Sequence, residues 1–485
     1  MEISEIIKRA KTGEDVTSLL KQKSIDLPAW ADLKKEYDPR LHPVMDEGKY
    51  PDITIYEEKD TGELDDLGRP KSVRAAVGVE KVSRVTYALQ DLAVKRTTEL
   101  CFGIPVRRVY KPDPNDERQK EVAGYLEKIF DAVRINSVNI DRGRQLFASC
   151  EIMTLWYAVK QETDVYGFKS KLKFRCVTYS PMKGDELYPL FDETGDLLAL
   201  SVAYTRKVKE ETVSYFDVYT DDTHLRWETS SESGANELTV KEEITLGKIP
   251  AIYVYRPTPV WEDTSTIVYE MEWAMSRNGN YLRKNSRPIL MAAVSEEMQF
   301  NQAPPTDAAF RDIVQYPQGS TLQYITWNQA IDNLKFYEQT LKSLFFTRLQ
   351  LPDLSYDNMK TSPMSGEARK QLFIDCQLKV KDESGRWLEF FDREVKVVKG
   401  FLKIALGNKA EYNTAIDSLP VENVMTPYMI SDDKEVATLL LMKNGNKPLM
   451  SQRESIEALG ESEDVDRTLE LIQQESMADA MEMAM

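Results

Sequence analysis

The sequence predicts an α+β protein with more than one domain, and three observations carry that prediction. Residues 171–257 contain runs rich in β-branched and aromatic residues, separated by acidic or glycine-containing joints (DETGD, SGANE, TLGK), as an antiparallel sheet requires. The segments on both sides place their apolar residues at helical spacing. At 485 residues and 42% hydrophobic, the chain can bury a large core in two to four domains.

Residues 1–74 combine a short helical start with polar, Pro- and Gly-containing loops such as DPRLHPVMDEGKYPD, and read as an irregular arm. Residues 77–100 (VGVEKVSRVTYALQDLAVKRTTEL) read as a helix, broken at Gly103 and Pro105 before a strand. A second helix spans 115–133, and a third begins at 138–145 and leads into the apolar run CEIMTLWYAV, which ends as a strand. Strands are expected at KLKFRCVTYS, LLALSVAYTRKV, VSYFDVYT, THLRWETS and IPAIYVYRP.

From Thr264 to Asn285 the period becomes helical, with Val268, Met271, Met275 and Leu282 on one face, until Arg287-Pro288 stops it. The Pro-rich stretch to Thr326 suggests short strands at ILMAAV and STLQYIT. Gln329 to Gln350 is helical again, with Ile331, Leu334, Tyr337, Leu341, Leu344 and Phe345 in register. Pro352 ends it, because the residue before a proline is pushed out of the helical region. A polar loop with prolines 352 and 363 follows (LPDLSYDNMKTSPMSGEARK, 351–370). Ser365 can cap the next helix, Ala368–Leu406, which spans roughly 60 Å at 1.5 Å per residue. Pro420–Ile430 reads as a linker. Asp432–Lys443 and Ser451–Leu459 read as a small helical pair joined by NGNKP, and a Glu-rich helix closes the chain. No repeat of fixed period occurs.

The sequence carries none of the common catalytic or nucleotide-binding motifs. There is no Walker A sequence, His-Glu-x-x-His, Gly-x-Ser-x-Gly or dinucleotide fingerprint, so the sequence points to no catalytic residue and no cofactor. Carboxylates are plentiful, but no spacing singles out an acid–base pair. Ser365-Gly366 reads as a cap, not a nucleophile. Cys101, Cys150, Cys176 and Cys376 lie far apart without Cys-x-x-Cys, which argues against disulfides and zinc and for a reducing compartment. His224 follows Asp221 and Asp222, but a single His beside loop carboxylates lacks a ligand framework, so it reads as a solvated turn before a strand and no metal is expected. Met271, Met275, Phe390 and Phe391 read as packing surface. Arg283, Lys284 and Arg287 suit a helix C-terminus, and would also form a positive ring near DNA or a partner protein. No apolar run approaches bilayer length, and the charged start MEISEIIKRAKTGED has no signal-peptide core, so neither a membrane span nor secretion is expected.

The net charge is −17. Ser451–Met485 holds two basic and ten acidic residues, a local charge of −8 and nearly half the total. A protein that grips nucleic acid tightly would carry a basic surface, so any DNA contact here is loose or confined to a few residues.

The order helix, Pro-Asp loop, Ser-Gly-x-Ala, long helix resembles the core of bacteriophage portal proteins, and of the SPP1-like siphophage portals in particular. The resemblance runs from about Val79 to Glu475. VEKVSRVTYALQDLAVKRTTELCFGIPV is similar to the family's early helix and Phe-Gly-x-Pro strand. LGKIPAIYVYRP resembles the passage from wing to stem, and RPILMAAV the start of the clip. LPDLSYDNM and SPMSGEARKQLF resemble the tunnel loop and the helix after it. LMKNGNKPLMSQRESIEAL resembles the crown. The chain departs from the family in its long polar N-terminal part and in GNKP, where a Gly-Ile-Ile-Ser turn is usual.

The resemblance implies an N-terminal arm (1–74), an α/β wing (75–262), stem helices (263–286 and 329–351) around a small α/β clip (287–328), a tunnel loop (352–364), a long helix returning to the wing (365–430) and a helical crown (431–485). It implies a homo-oligomeric ring, commonly of twelve subunits, at one vertex of a virion capsid, assembled in the host cytoplasm. Double-stranded DNA would pass through it without sequence specificity. Terminase and then the head–tail connector would dock on the clip, and major capsid and scaffolding proteins on the wing. Leu354, Tyr356, Asn358 and Lys360 would line the tunnel loop. The competing readings are a capsid or scaffold-associated protein and a packaging enzyme. The missing P-loop argues against the enzyme, and the helices bracketing a small domain argue against the shell protein.

Overall fold

The computed structural model describes residues 3–12, 16–23, 25–64, 70–208, 211–229, 236–285, 289–293, 321–325, 331–353, 374–428, 451–454 and 467–472. The chain divides into two compact units, Met1–Asp353 with Asp375–Tyr428, and Leu354–Ile374 with Met429–Met485.

In the first unit, a five-stranded antiparallel meander is formed by β6 (Glu186–Phe191), β7 (Leu197–Val208), β8 (Glu211–Tyr219), β9 (Thr223–Thr229) and β10 (Asn236–Glu243). A three-stranded sheet has β4 (Glu151–Thr163) between β5 (Ser170–Tyr179) and β11 (Ala251–Tyr255). Strand alternation gives the meander two apolar faces. Leu200, Val202, Tyr204 and Tyr219 pack with Met153, Tyr179 and Tyr253 of the smaller sheet. On the other face, Leu190, Phe216, Val218 and Trp227 are covered by Ile6 and Ala10 of α1 (Ile3–Thr12) and by Val16 and Leu20 around α2 (Thr17–Leu20). The short helical start expected at the N-terminus is present: Ile6 and Ala10 lie four residues apart and form a helical stripe that the sheet face stabilises.

After α3 (Trp30–Tyr37), two short turns and a hairpin of β1 (Ile53–Leu64) and β2 (Pro70–Glu80), helix α4 spans Leu89–Phe102. The helix expected from Val77 thus begins twelve residues later, for a tertiary reason given below. β3 (Arg107–Tyr110), α5 (Glu117–Ala132, capped by the Asp116 side chain) and α6 (Ile135–Ser149) lead into β4. Gly143 of α6 lies under Phe102; a Cβ there would come within 2.8 Å of the ring, so glycine permits the close α4–α6 approach.

Helix α7 (Ser265–Asn285) precedes the hairpin β12–β13 (Ile289–Ala293 and Thr321–Ile325), and α8 (Ile331–Arg348) follows it. The 32-residue α9 (Ile374–Ala405) threads the core, burying Trp387, Phe390 and Phe391. Trp387 meets Phe102 edge to face at 4.9 Å. Phe390 and Phe391 are packing surface, as the sequence suggested. α10 (Ala410–Ser418) precedes β14 (Val421–Val424), which pairs antiparallel with β3 from Val421↔Tyr110 to Val424↔Arg107. The expected linker at Pro420–Ile430 is therefore partly a strand: its edge partner lies some 310 residues away in sequence, beyond any local signal. In the second unit, Ser451 and Glu454 form a reciprocal capping box at the start of a helix, as expected.

Candidate functional site, the paired helices and their anchors

Helices α7 and α8 lie antiparallel. The Tyr337 hydroxyl donates to Glu270 at 3.1 Å, and Arg348 pairs with Asp263 at 2.6 Å, so position rises along one helix as it falls along the other. The β12–β13 pairing, Ile289↔Ile325, continues the same hairpin. Val268 and Met271 of α7 are buried, as are Phe345, Phe346 and Leu349 at the end of α8. Leu282 (54% exposed), Phe336 (71%) and Leu344 (51%) remain in water. α8 stops with Gln350 in the left-handed region (φ 53°), ahead of Pro352.

The expected tunnel-loop residues Leu354, Tyr356, Asn358 and Lys360 lie outside the described residues, but the flanks of that loop are described. Lys379 of α9 donates to the Leu349 carbonyl at the end of α8 (2.5 Å), and burial pushes its amine down to about 8. Lys342 reaches Asp353 at 3.2 Å. Of the expected basic ring, Arg283 is exposed and donates to the Lys81 carbonyl at 3.1 Å. The Lys284 side chain and Arg287 lie outside the described residues.

Sequence reasoning missed how α7 is held. Residues 81–88 run extended and antiparallel along it. Glu272, Ser276 and Asn280 accept the backbone N–H groups of Tyr87 (2.8 Å), Val85 (2.9 Å) and Ser83 (2.5 Å). The periods match: four helical residues rise about 6 Å and two extended residues about 6.6 Å. This capture explains why α4 begins only at Leu89, since amides given to α7 cannot serve a helix. A Cβ on Gly279 would sit 2.7 Å from the Ser83 hydroxyl, so glycine admits this contact too. The legible signal was a polar stripe at i, i+4, i+8 beside the apolar one.

The inner end of the stripe is a buried ion pair. His42 and Glu272 are both fully buried and 2.6 Å apart. The second imidazole nitrogen of His42 faces the Glu36 carbonyl at 2.8 Å. Two acceptors require two N–H donors, which only the imidazolium has. Burial would lower the His42 pKa, but the hydrogen bond and charge of Glu272, with the Glu36 carbonyl and Asp38, raise it overall.

A model of the phage portal protein family, SPP1 Gp6-like, matches residues 80–481. The chain belongs to that family. No curated protein matches the sequence. One similar solved chain comes from the "Neck of empty GTA particle computed with C6 symmetry", at 11% identity and TM-score 0.37, covering 76% of this chain and 88% of that one. A likeness of that size informs nothing further.

Within this portal-family chain, α9 has a second kind of anchor. Glu394 accepts from the buried Arg142 (2.7 Å) and Trp156 (3.0 Å) on one oxygen and from Arg108 (3.1 Å), whose side chain is 6% exposed, on the other. The guanidiniums lie against rings, Arg108 4.0 Å from Phe130 and Arg142 5.0 Å from Phe390. Glu383 similarly takes Arg256 at 2.8 Å.

His224 is not the solvated turn expected. It pairs across the β8–β9 hairpin with Tyr219, stacks on that ring at 4.5 Å, and lies 3.4 Å from Asp217. Burial would push the Asp217 carboxyl up, but the His224 imidazole beside it and the hydrogen bonds from Arg226 hold it below the usual range. Among the described residues, no group of three or more His, Cys, Asp or Glu could hold a metal. No described helix is long and apolar enough to cross a membrane. All four cysteines are free thiols.

Proposed function

We propose that this chain is the subunit of a portal ring at one capsid vertex, the conduit for double-stranded DNA during packaging and ejection. The observation that carries the reading is the family match over residues 80–481, which spans the α7–hairpin–α8 arrangement. In this reading α7 and α8 are the stem, β12–β13 belongs to the clip, and the body with its sheets is the wing. Residues 352–364 form the tunnel loop and 431–485 the crown. Terminase and then the connector dock at the clip, and capsid and scaffolding proteins meet the wing. The role is structural.

The physical chemistry agrees. Leu282, Phe336 and Leu344 are exposed in a single chain, and neighbouring subunits in a ring would cover such faces. A net charge of −17 repels phosphate, which keeps DNA mobile in a channel it must traverse. Lys379 and Lys342 hold the chain at Leu349 and Asp353, just before the proposed loop. Tyr356, Asn358 and Lys360 would offer a flat ring, an amide and a cation for transient backbone contact.

Negative-stain microscopy and light scattering of the purified protein, alone and with its scaffold, test the ring. Closed rings with a central hole are expected. A stable monomer at micromolar concentration under both conditions would sink the reading. For the loop, Tyr356→Ala with Lys360→Ala in an infective phage should leave capsids normal and reduce DNA packaging or retention. Full-length genomes at normal yield would remove the loop from the conduit.

A further inference from the structure

We propose that Lys81–Ala88 is a releasable strap on α7, and that loss of the His42 proton releases it. The proposal goes beyond the portal reading and stands whether or not α7 is a stem helix.

The strap carries no regular secondary structure of its own, and three of its amides end on α7 side chains. Its grip is strongest at Tyr87, where Glu272 Oε1 accepts both the backbone N–H and the His42 N–H. Glu272 Oε2 is buried with no hydrogen-bond partner among the described residues, so the carboxylate leans on the imidazolium charge beside it. Every titratable or charged group facing His42 favours that charge or leaves it unopposed. α7 contributes Glu272 and the Tyr269 ring, edge-on at 5.3 Å. The α3 end contributes the Glu36 carbonyl and the Asp38 carboxylate. The strap contributes Tyr87, whose hydroxyl is turned to Glu338. The Glu36 carboxylate is occupied by Trp261 and Ser265.

A neutral imidazole keeps one N–H for two acceptors. Either the Glu36 carbonyl or Glu272 then loses its donor, and Glu272 is left as a buried charge without its counter-ion. Such a group moves toward water, and the Tyr87 anchor goes with it. The strap's other amide bonds to α7, at Ser276 and Asn280, are neutral and individually weak, while contacts that do not depend on the His42 proton hold Val82 and Arg84 to Asp52, the Lys81 carbonyl to Arg283 and the Tyr87 hydroxyl to Glu338.

The sign follows from linkage. His42 in the closed state holds its proton more tightly than in an opened one, so closure is favoured at low pH. Between about 6.5, the ordinary imidazole value, and the raised closed-state value, each pH unit multiplies the opened fraction by about ten. Above the raised value the effect levels off.

Hydrogen exchange by mass spectrometry on the full-length protein, from about pH 6 to pH 9, tests this once intrinsic rates are divided out against a β4 peptide. Protection of the peptide bearing Ser83, Val85 and Tyr87 should fall with rising pH while β4 stays constant. His42→Gln should expose the strap at all pH values and flatten the curve. Ser276→Ala with Asn280→Ala should loosen the strap at every pH and keep the slope, and this variant reports even if His42→Gln misfolds. Strap protection that is constant with pH in the wild type overturns the proposal, as does a wild-type slope in His42→Gln.

Discussion

Two buried glutamates hold the two long helices of this protein, and they do so with different chemistry. Glu394 fixes α9 with two arginines and an indole. Glu272 fixes α7 with one histidine and a backbone amide. Guanidinium stays charged at any pH a protein survives, whereas imidazole does not. The anchor of α9 at Glu394 is therefore independent of pH, and the anchor of α7 at Glu272 is conditional. Surroundings reinforce the contrast: α9 packs its own Trp387 and Phe391 against Phe102, while α7 lies under an extended strap.

The largest effect should come from Glu394→Ala, which leaves Arg108 and Arg142 buried without a counter-ion. A loss of about 3–5 kcal/mol is expected, with no change in the slope of stability against pH. Denaturant unfolding at several pH values reads both, and a pH-dependent loss would erase the contrast.

Glu272→Ala should cost less, about 1–3 kcal/mol, because His42 can shed its proton once its partner is gone. The His42 pKa is raised in the fold, so the pair's contribution is full below about 6.5 and lost as pH rises through the raised value. Wild type and variant should therefore converge at alkaline pH. A constant gap would show that Glu272 acts through the Tyr87 amide alone.

Gly279→Ala should come next, at about 1 kcal/mol, by pressing a methyl against Ser83. Faster exchange confined to the strap is the expected readout; unchanged exchange would mean that Ser83 simply rotates away. Smallest is Arg348→Ala. Its pair with Asp263 is exposed at 59% and 63%, so a change of about 0–1 kcal/mol is expected, fading further in salt.

Much of the frame was legible in the sequence. α7 and α8 fall within two residues of their expected bounds, because an apolar stripe at helical spacing is a local property. The strands over β5, β7, β8, β9 and β11 were legible for the same reason. β6 and β10 were missed: ELYPLF contains a proline, and NELTVKEE is too charged to read as a strand until β9 supplies its partner. Of the candidate site, the helices were visible and their anchors were not. His42 and Glu272 are 230 residues apart in sequence, and nothing local marks either as a partner.

The sequence by itself determined the α+β class, the helix pair around a small insertion, the missing catalytic motifs and the family. Periodicity, composition and motif order are written along the chain and need no partner to be read. Tertiary structure alone decided that residues 77–88 are not helix, since their amides bond to β1 or to α7, and that β14 closes on β3. It also decided which charges are buried and with what. A carboxylate's burial and counter-ion depend on groups hundreds of residues away, and so does whether its grip survives a change of pH.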